Sequence, residues 1–263
     1  MNIHRQELRL LLRTRDDYQS MRKQIDNRIG RKADGTDQKI DERGFTPTDL
    51  DYYKAMADSN RAWEDDIEKR ILKLLKNFPI YTGFLSEVKG VGPIVAGWIV
   101  SEIDIEKATT VSKIWQYAGL NPGFVQGIKR KDTDGEVEFI RTETPVKGDR
   151  RTPGFVSPFN GRLRTVLCGI LADGFIKANS PYRLLYYDPY KERLTHETRL
   201  INGEDMAWCD SKPARRHNAA KRYMIKMFLR DLYAVWRQLE GLPVRPPYSE
   251  EYLNKKHEEP ALV

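Results

Sequence analysis

Phe84-Leu-Ser-Glu-Val-Lys-Gly-Val-Gly-Pro-Ile-Val-Ala-Gly-Trp-Ile-Val-Ser-Glu-Ile103 is the stretch whose reading decides the fold. It reads as a short apolar helix, a Gly-Val-Gly turn and a second apolar helix, the pattern of a helix-hairpin-helix. Gly90 and Gly92 permit backbone conformations and close approaches that a Cβ would block. Pro93 suits the first position of the second helix. Backbone N–H groups around Lys89, Gly90, Val91 and Gly92 would then stand at a positive helix N-terminus, where a phosphate can bind. Lys89 adds a cation beside them. The competing reading is an ordinary helical corner with a glycine turn.

Working outward, residues 5–29 carry Leu8, Leu11, Leu12, Tyr18, Met21, Ile25 and Ile29 near helical spacing. A polar loop follows, and Thr46-Pro47-Thr48-Asp49 reads as a helix start. That second helix runs to about Asn77, with Leu50, Tyr53, Met56, Trp63, Ile67, Ile71, Leu74 and Leu75 along one side. Residues 1–77 are therefore expected to form a helical hairpin or coiled-coil arm whose apolar stripe pairs with itself or with a second subunit.

Beyond the glycine hairpin, Thr109–Ala118 reads as a short helix. Residues 121–156 are irregular, rich in Gly, Pro and charge. Asp134-Gly135 is a turn signal, so Ile128–Lys131 is expected to pair with Val137–Arg141 as a small β-hairpin. Asn160–Ala178, Pro181–Leu194 and Pro213–Leu239 read as helices, with 195–210 irregular between the last two. The fold class is mainly α: an N-terminal helical arm over 1–77, a helical domain over 78–245 holding the hairpin and a β-hairpin insertion, and a tail over 246–263 expected to be mobile.

The net charge is +7 with pI ≈ 9.2, which suits a polyanionic partner. From Ser211 to Arg237 there are eight basic residues and one acidic, a surplus of seven that equals the whole excess. Candidate phosphate-neutralising groups are Lys129 and Arg130 with Lys131, then Arg150, Arg151, Arg162 and Arg164, then Arg215, Arg216, Lys221 and Arg222. Arg215, Arg222 and Lys226 sit at steps that share a helix face. Tyr182, Tyr186, Tyr187 and Tyr190 would stack on bases or pack a core. The alternative for each basic group is a solvated face.

Catalytic patterns are thin. Four scattered histidines, and two cysteines, Cys168 and Cys209, show no metal-ligand spacing. Asp132, Asp134, Glu136 and Glu138 sit close in sequence and read as a solvated turn, the alternative being a divalent-ion site. No cofactor or metal is expected. No leader opens the sequence and no run approaches the roughly 18 apolar residues of a membrane span, so a soluble cytoplasmic, nucleoid-associated protein is expected.

Three elements recur in a familiar order: Val88 to Ile103, then Trp115-Gln-Tyr-Ala-Gly-Leu-Asn-Pro122, then Val156-Ser-Pro-Phe-Asn-Gly-Arg-Leu-Arg164, with a basic helix behind them. Over about residues 78–178 this resembles the C-terminal domain of insertion-sequence transposases of the 110/116/902 group, the bridge-RNA-guided recombinases. The resemblance implies DNA transposition or recombination, DNA and a structured guide RNA as partners, and a homo-oligomer. Two family features are missing: the N-terminal RNase-H-like acidic domain, and a serine nucleophile soon after Ala118-Gly-Leu. No serine occurs from Asn121 to Val156; the next, Ser157, aligns with another element. The expected function is thus DNA binding without autonomous catalysis. The alternatives are an active recombinase using Ser157 as nucleophile, and a structural or regulatory module that binds an acidic protein.

Overall fold

The computed structural model describes residues 3–31, 44–120, 124–131, 137–147, 155–156, 159–201 and 204–246. Its frame is mainly helical. Helices α1 (Ile3–Ile29) and α2 (Pro47–Leu75) form the antiparallel arm. The start of α2 follows its sequence signal, since the Thr46 hydroxyl accepts from the Asp49 amide at 3.2 Å and Pro47 sits in the first turn.

The arm's base shares the protein's main core. Leu8 and Leu12 of α1 and Ile67, Ile71, Leu74 and Leu75 of α2 join one apolar cluster with Trp98, Ile99, Phe175 and Phe228. Gly97 lets α1 come close, because a Cβ there would stand 3.2 Å from Leu12 Cδ2. Further out the seam combines Ile25, Ile29 and Ala57 with buried polar groups. Arg22 Nε donates to Glu64 Oε1 at 2.5 Å and Nη2 to Oε2 at 3.2 Å, while Nη1 reaches Asp26 at 3.3 Å. Ala57, Asn60 and Glu64 bury the distal half of α2. The expected apolar side of α2 is corrected accordingly. Tyr53, Met56 and Trp63 are exposed, Trp63 by 54%, because the helix turns its smaller and charged residues inward to meet Arg22.

The hairpin unit follows. A π-helical turn, Tyr81–Leu85, stands for the first helix, shorter and earlier than expected, and α3 (Pro93–Glu102) is the second. Next come α4 (Val111–Tyr117), β1 (Phe124–Lys131), β2 (Val137–Lys147) and β3 (Phe155–Val156), in sheet order β2-β1-β3. The antiparallel β1–β2 ribbon pairs the two segments expected from the sequence, Ile128 with Ile140 and Lys131 with Val137. The ribbon continues past a bulge between Val125 and Gly127 to pair Phe124 with Lys147, longer than expected.

Asn160 caps α5 (Gly161–Thr165), its side chain accepting from the Leu163 amide. The helix widens through a π stretch (Val166–Leu171) and ends as α6 (Ala172–Lys177). A second π stretch, Arg183–Tyr187, precedes α7 (Asp188–Arg193), where Pro189 has no N–H to continue the ladder. Residues expected to be irregular contain a second antiparallel hairpin, β4 (Thr198–Ile201) with β5 (Glu204–Ala207). Its sequence signal was Asn202-Gly203, a residue pair favoured in tight hairpins, between two short runs.

Helix α8 (Pro213–Leu239) has the expected bounds but a different environment. It is buried on nearly every side, with Met224, Phe228, Leu229 and Leu232 fully enclosed, and with Lys221, Arg230, Asp231 and Arg237 buried as well. Arg237 donates to the carbonyls of Ile105, Ala108 and Pro243. No helix among the described residues is long and apolar enough to cross a membrane.

Candidate nucleic-acid interface

At the glycine turn, Gly90 has φ +101°, a region that favours glycine. An ideal Cβ there would lie 2.9 Å from Phe175 Cδ1 and 3.2 Å from Gly174 backbone; reciprocally, a Cβ on Gly174 would lie 2.8 Å from the Gly90 oxygen. The turn is therefore pressed backbone to backbone onto α6. Gly174, the partner that makes this contact possible, escaped the sequence reading because nothing in its local pattern marks it.

Gly92 behaves differently. It caps α3 at φ −90°, is exposed, and a Cβ there would meet nothing within 4 Å. Neither backbone conformation nor internal packing demands glycine. No side chain caps α3. The first-turn amides of Ile94 and Val95 follow Pro93 and have no intrahelical acceptor. Val91 closes the turn by donating to the Val88 carbonyl at 3.0 Å, and Lys89 is exposed beside it.

The candidate cations separate into two sets. Arg162 lies over the Trp98 ring at 4.9 Å and pairs with Asp16 of the arm at 3.0 Å. Arg164 donates to the Gly119 carbonyl and covers Phe159. Lys221 is buried and pairs with Asp173 at 2.7 Å. Arg222 and Arg216 are half-buried. Lys226 sits over Trp115 at 5.0 Å, and burial, then Arg222, pushes its pKa down. The expected cationic group on α8 is corrected at Lys221, whose charge is spent on Asp173 inside the fold. Arg215 stays exposed. Lys129 pairs in register with Phe139 and Val156, and Arg130 with Glu138 and Phe155, on the β ribbon. Arg150, Arg151 and Ser157 lie outside the described residues, as do Asp132, Asp134 and Glu136 of the acidic turn and 247–263 of the tail.

The tyrosines are packing residues. Tyr182, Tyr186 and Tyr187 are buried, and Tyr182 donates to Asp231 at 3.0 Å while its ring stacks on Phe175. His217 is half-buried, with Nδ1 2.6 Å from the Tyr187 hydroxyl; burial first, then Lys221 and Lys191, push its pKa down.

The three sequence elements quoted above meet at Asn160. Its amide Nδ2 donates to Glu102 Oε2 at 2.7 Å at the end of α3, and to the Tyr117 hydroxyl at 2.8 Å at the end of α4. Its backbone N–H donates to the Tyr117 carbonyl at 2.8 Å. Gly119, at φ +67°, would bring a Cβ 2.7 Å from the Phe159 ring. Arg5 and Arg9 reach across from α1, donating to the carbonyls of Val100, Ile103 and Ser101 and thereby capping α3 at its C-terminus. Neither Asn160 nor Glu102 stood out in the sequence, because their partners are remote along the chain. No protein-family model matches the chain, and no curated protein matches it either.

Proposed function

We propose that the chain binds nucleic acid, DNA in the first instance, in the transposition or recombination of a mobile element, and does not transfer strands by itself. The observation that carries this reading is the start of α3. A glycine that the fold does not need stands exposed before uncapped first-turn amides, and Lys89 is exposed next to it. Such a terminus accepts an anion through backbone N–H groups and the helix dipole. It would position a strand without reading its sequence.

Arg215 and the ribbon positions Lys129 and Arg130 are the further cations assigned to this interface. The link to transposition rests on the resemblance of the three elements that converge at Asn160 to the bridge-RNA-guided transposases, which also suggests a structured RNA as a second ligand. The test is binding of the purified chain to duplex, four-way-junction and structured-RNA probes. Gly92→Glu places a carboxylate where the phosphate would sit, and is expected to weaken binding by about tenfold or more, the scale of one charge-assisted contact. Equal binding by wild type and Gly92→Glu would remove the hairpin from the interface, and absence of binding at low salt would refute the reading.

A further inference from the structure

A cleft of about 420 Å³ opens at the other end of α3, away from the glycine turn. Its walls are the first turns of α1 (Arg5, Arg9), the end of α3 (Glu102), the connection after it (Asp104), and Lys113 and Tyr117 of α4. We propose that this cleft is a phosphate-binding site, with the Lys113 ammonium and the Tyr117 hydroxyl as the donors that meet the ligand.

The assignment follows from which polar groups are already engaged. Glu102 accepts from Asn160 at 2.7 Å and pairs with Arg9 at 3.1 Å. Asp104 lies 3.9 Å from Arg5 and 3.6 Å from Lys107. Arg5 and Arg9 are held on the carbonyls that end α3. The buried Arg9 Nε has no hydrogen-bond partner: its approach to Glu102 is close but misaligned. Lys113 is exposed and has no ion-pair partner among the described residues. Tyr117 is 43% exposed, and its hydroxyl accepts from Asn160, so its own proton is free to donate. Lys113 and Tyr117 stand four residues apart on α4 and therefore share a face.

The uncommitted capacity of Lys113 and Tyr117 is thus donor capacity, four N–H or O–H bonds by the usual inventory of an ammonium and a phenol. A ligand that satisfies it needs several acceptor oxygens in a compact group. Charge points the same way. Arg5, Arg9, Lys107 and Lys113 outnumber Glu102 and Asp104 by two. Glu106, which acts on Arg5 from beyond the lining, removes one of these, and the helix C-terminus about half a charge more. The balance stays positive. The volume lies within the range of roughly 300–1,000 Å³ usual for ligand sites, room for a phosphate and the sugar and base attached to it.

The phosphate can arrive on a strand end or on a free nucleotide, so the inference does not depend on the nucleic-acid reading. The experiment uses the full chain with inorganic phosphate, thymidine 5′-monophosphate, and one single-stranded oligonucleotide prepared with a 5′-phosphate and with a 5′-hydroxyl, followed by phosphorus NMR and calorimetry. Binding of a phosphate-bearing probe, weakened about tenfold or more in Lys113→Glu and less in Tyr117→Phe, is the expected result. Lys113→Gln, which keeps the stem and removes the charge, guards against an effect of the new carboxylate alone. Preference for the 5′-phosphorylated strand that disappears in Lys113→Glu would identify a strand end as the source. Binding of the mononucleotide with neither oligonucleotide bound would identify a soluble ligand, upholding the cleft while the nucleic-acid reading fails. Failure of all phosphate probes to bind, or equal binding by wild type and Lys113→Glu, would overturn the inference.

Discussion

A methyl group on Gly90 has no free space to occupy. It would face Phe175 Cδ1 at 2.9 Å and Gly174 backbone at 3.2 Å, at φ +101°. The left-handed backbone costs a residue with a Cβ about 1–2 kcal/mol, and overpacking of this kind adds about 1–3 kcal/mol. Gly90→Ala is therefore expected to destabilise the protein by roughly 2–5 kcal/mol in urea unfolding. Gly92→Ala, with nothing within 4 Å and an ordinary φ, is expected to leave the unfolding midpoint nearly unchanged. Similar losses from both substitutions would show that Gly92 has an internal role and would weaken its assignment to a ligand. The sequence marks both glycines alike, since two glycines flanking a valine look equivalent in a turn. What separates them is Gly174, which lies more than eighty residues away in the chain and carries no local signature. Residue pairs made by tertiary approach are invisible to local pattern; hairpins of segments close along the chain, such as β1–β2, are legible as elements.

At the scale of the element, the arm shows why an apolar stripe can mislead. Helix α2 carries large apolar residues along one side, yet its outer seam against α1 is Ala57, Asn60 and Glu64. Tyr52, Met56 and Trp63 stay exposed. The reason is the guanidinium of Arg22, which needs both oxygens of Glu64 and one of Asp26 to be satisfied out of water. Glu64 has only 5% of its side chain exposed and Arg22 only 10%. Removing Arg22 alone leaves buried Asp26 without a cation and Glu64 with Arg15 at 3.9 Å; breaking a buried pair typically costs about 3–5 kcal/mol. Replacing both Arg22 and Glu64 by leucine removes one of these two carboxylates and leaves only Asp26 without its cation. Arg22→Leu is thus expected to lower stability more than the double substitution Arg22→Leu with Glu64→Leu, measured by urea midpoints at constant pH. A double variant that loses the sum of the two single losses would show that the pair is not coupled and that the seam is held by something else. Hydrophobic periodicity located both helices correctly and placed the inner face of α1 at Leu8, Leu12, Ile25 and Ile29, but that of α2 only where it joins the core, at Ile67, Ile71, Leu74 and Leu75.

For the molecule as a whole, the question is how much of its positive charge is available to a partner. The excess of seven lies in Ser211 to Arg237, and composition alone assigns all of it to the surface. Helix α8 instead buries much of its length from Ala219 to Arg237 in the core. Lys221 is paired with Asp173, Arg230 with Asp231, and Arg237 is spent on three carbonyls. Lys226 is desolvated over Trp115. A cation tied inside the fold neutralises no phosphate and releases no counterion on binding. If all eight cations of that segment faced duplex DNA, the slope of log K against log salt would be about −7, from the −0.9 contributed per phosphate. With Lys89, Lys212 and Arg215 exposed and Arg216 and Arg222 half-buried, about three to five contacts remain, and the expected slope is roughly −3 to −5. Lys221→Gln leaves Asp173 without its cation, so it should lower stability while leaving the slope unchanged; Lys89→Gln should lower the slope's magnitude by about one contact. A slope near −7, or one that responds to Lys221→Gln in a fully folded variant, would mean that the enclosed cations do reach the partner and that α8 is part of the interface after all.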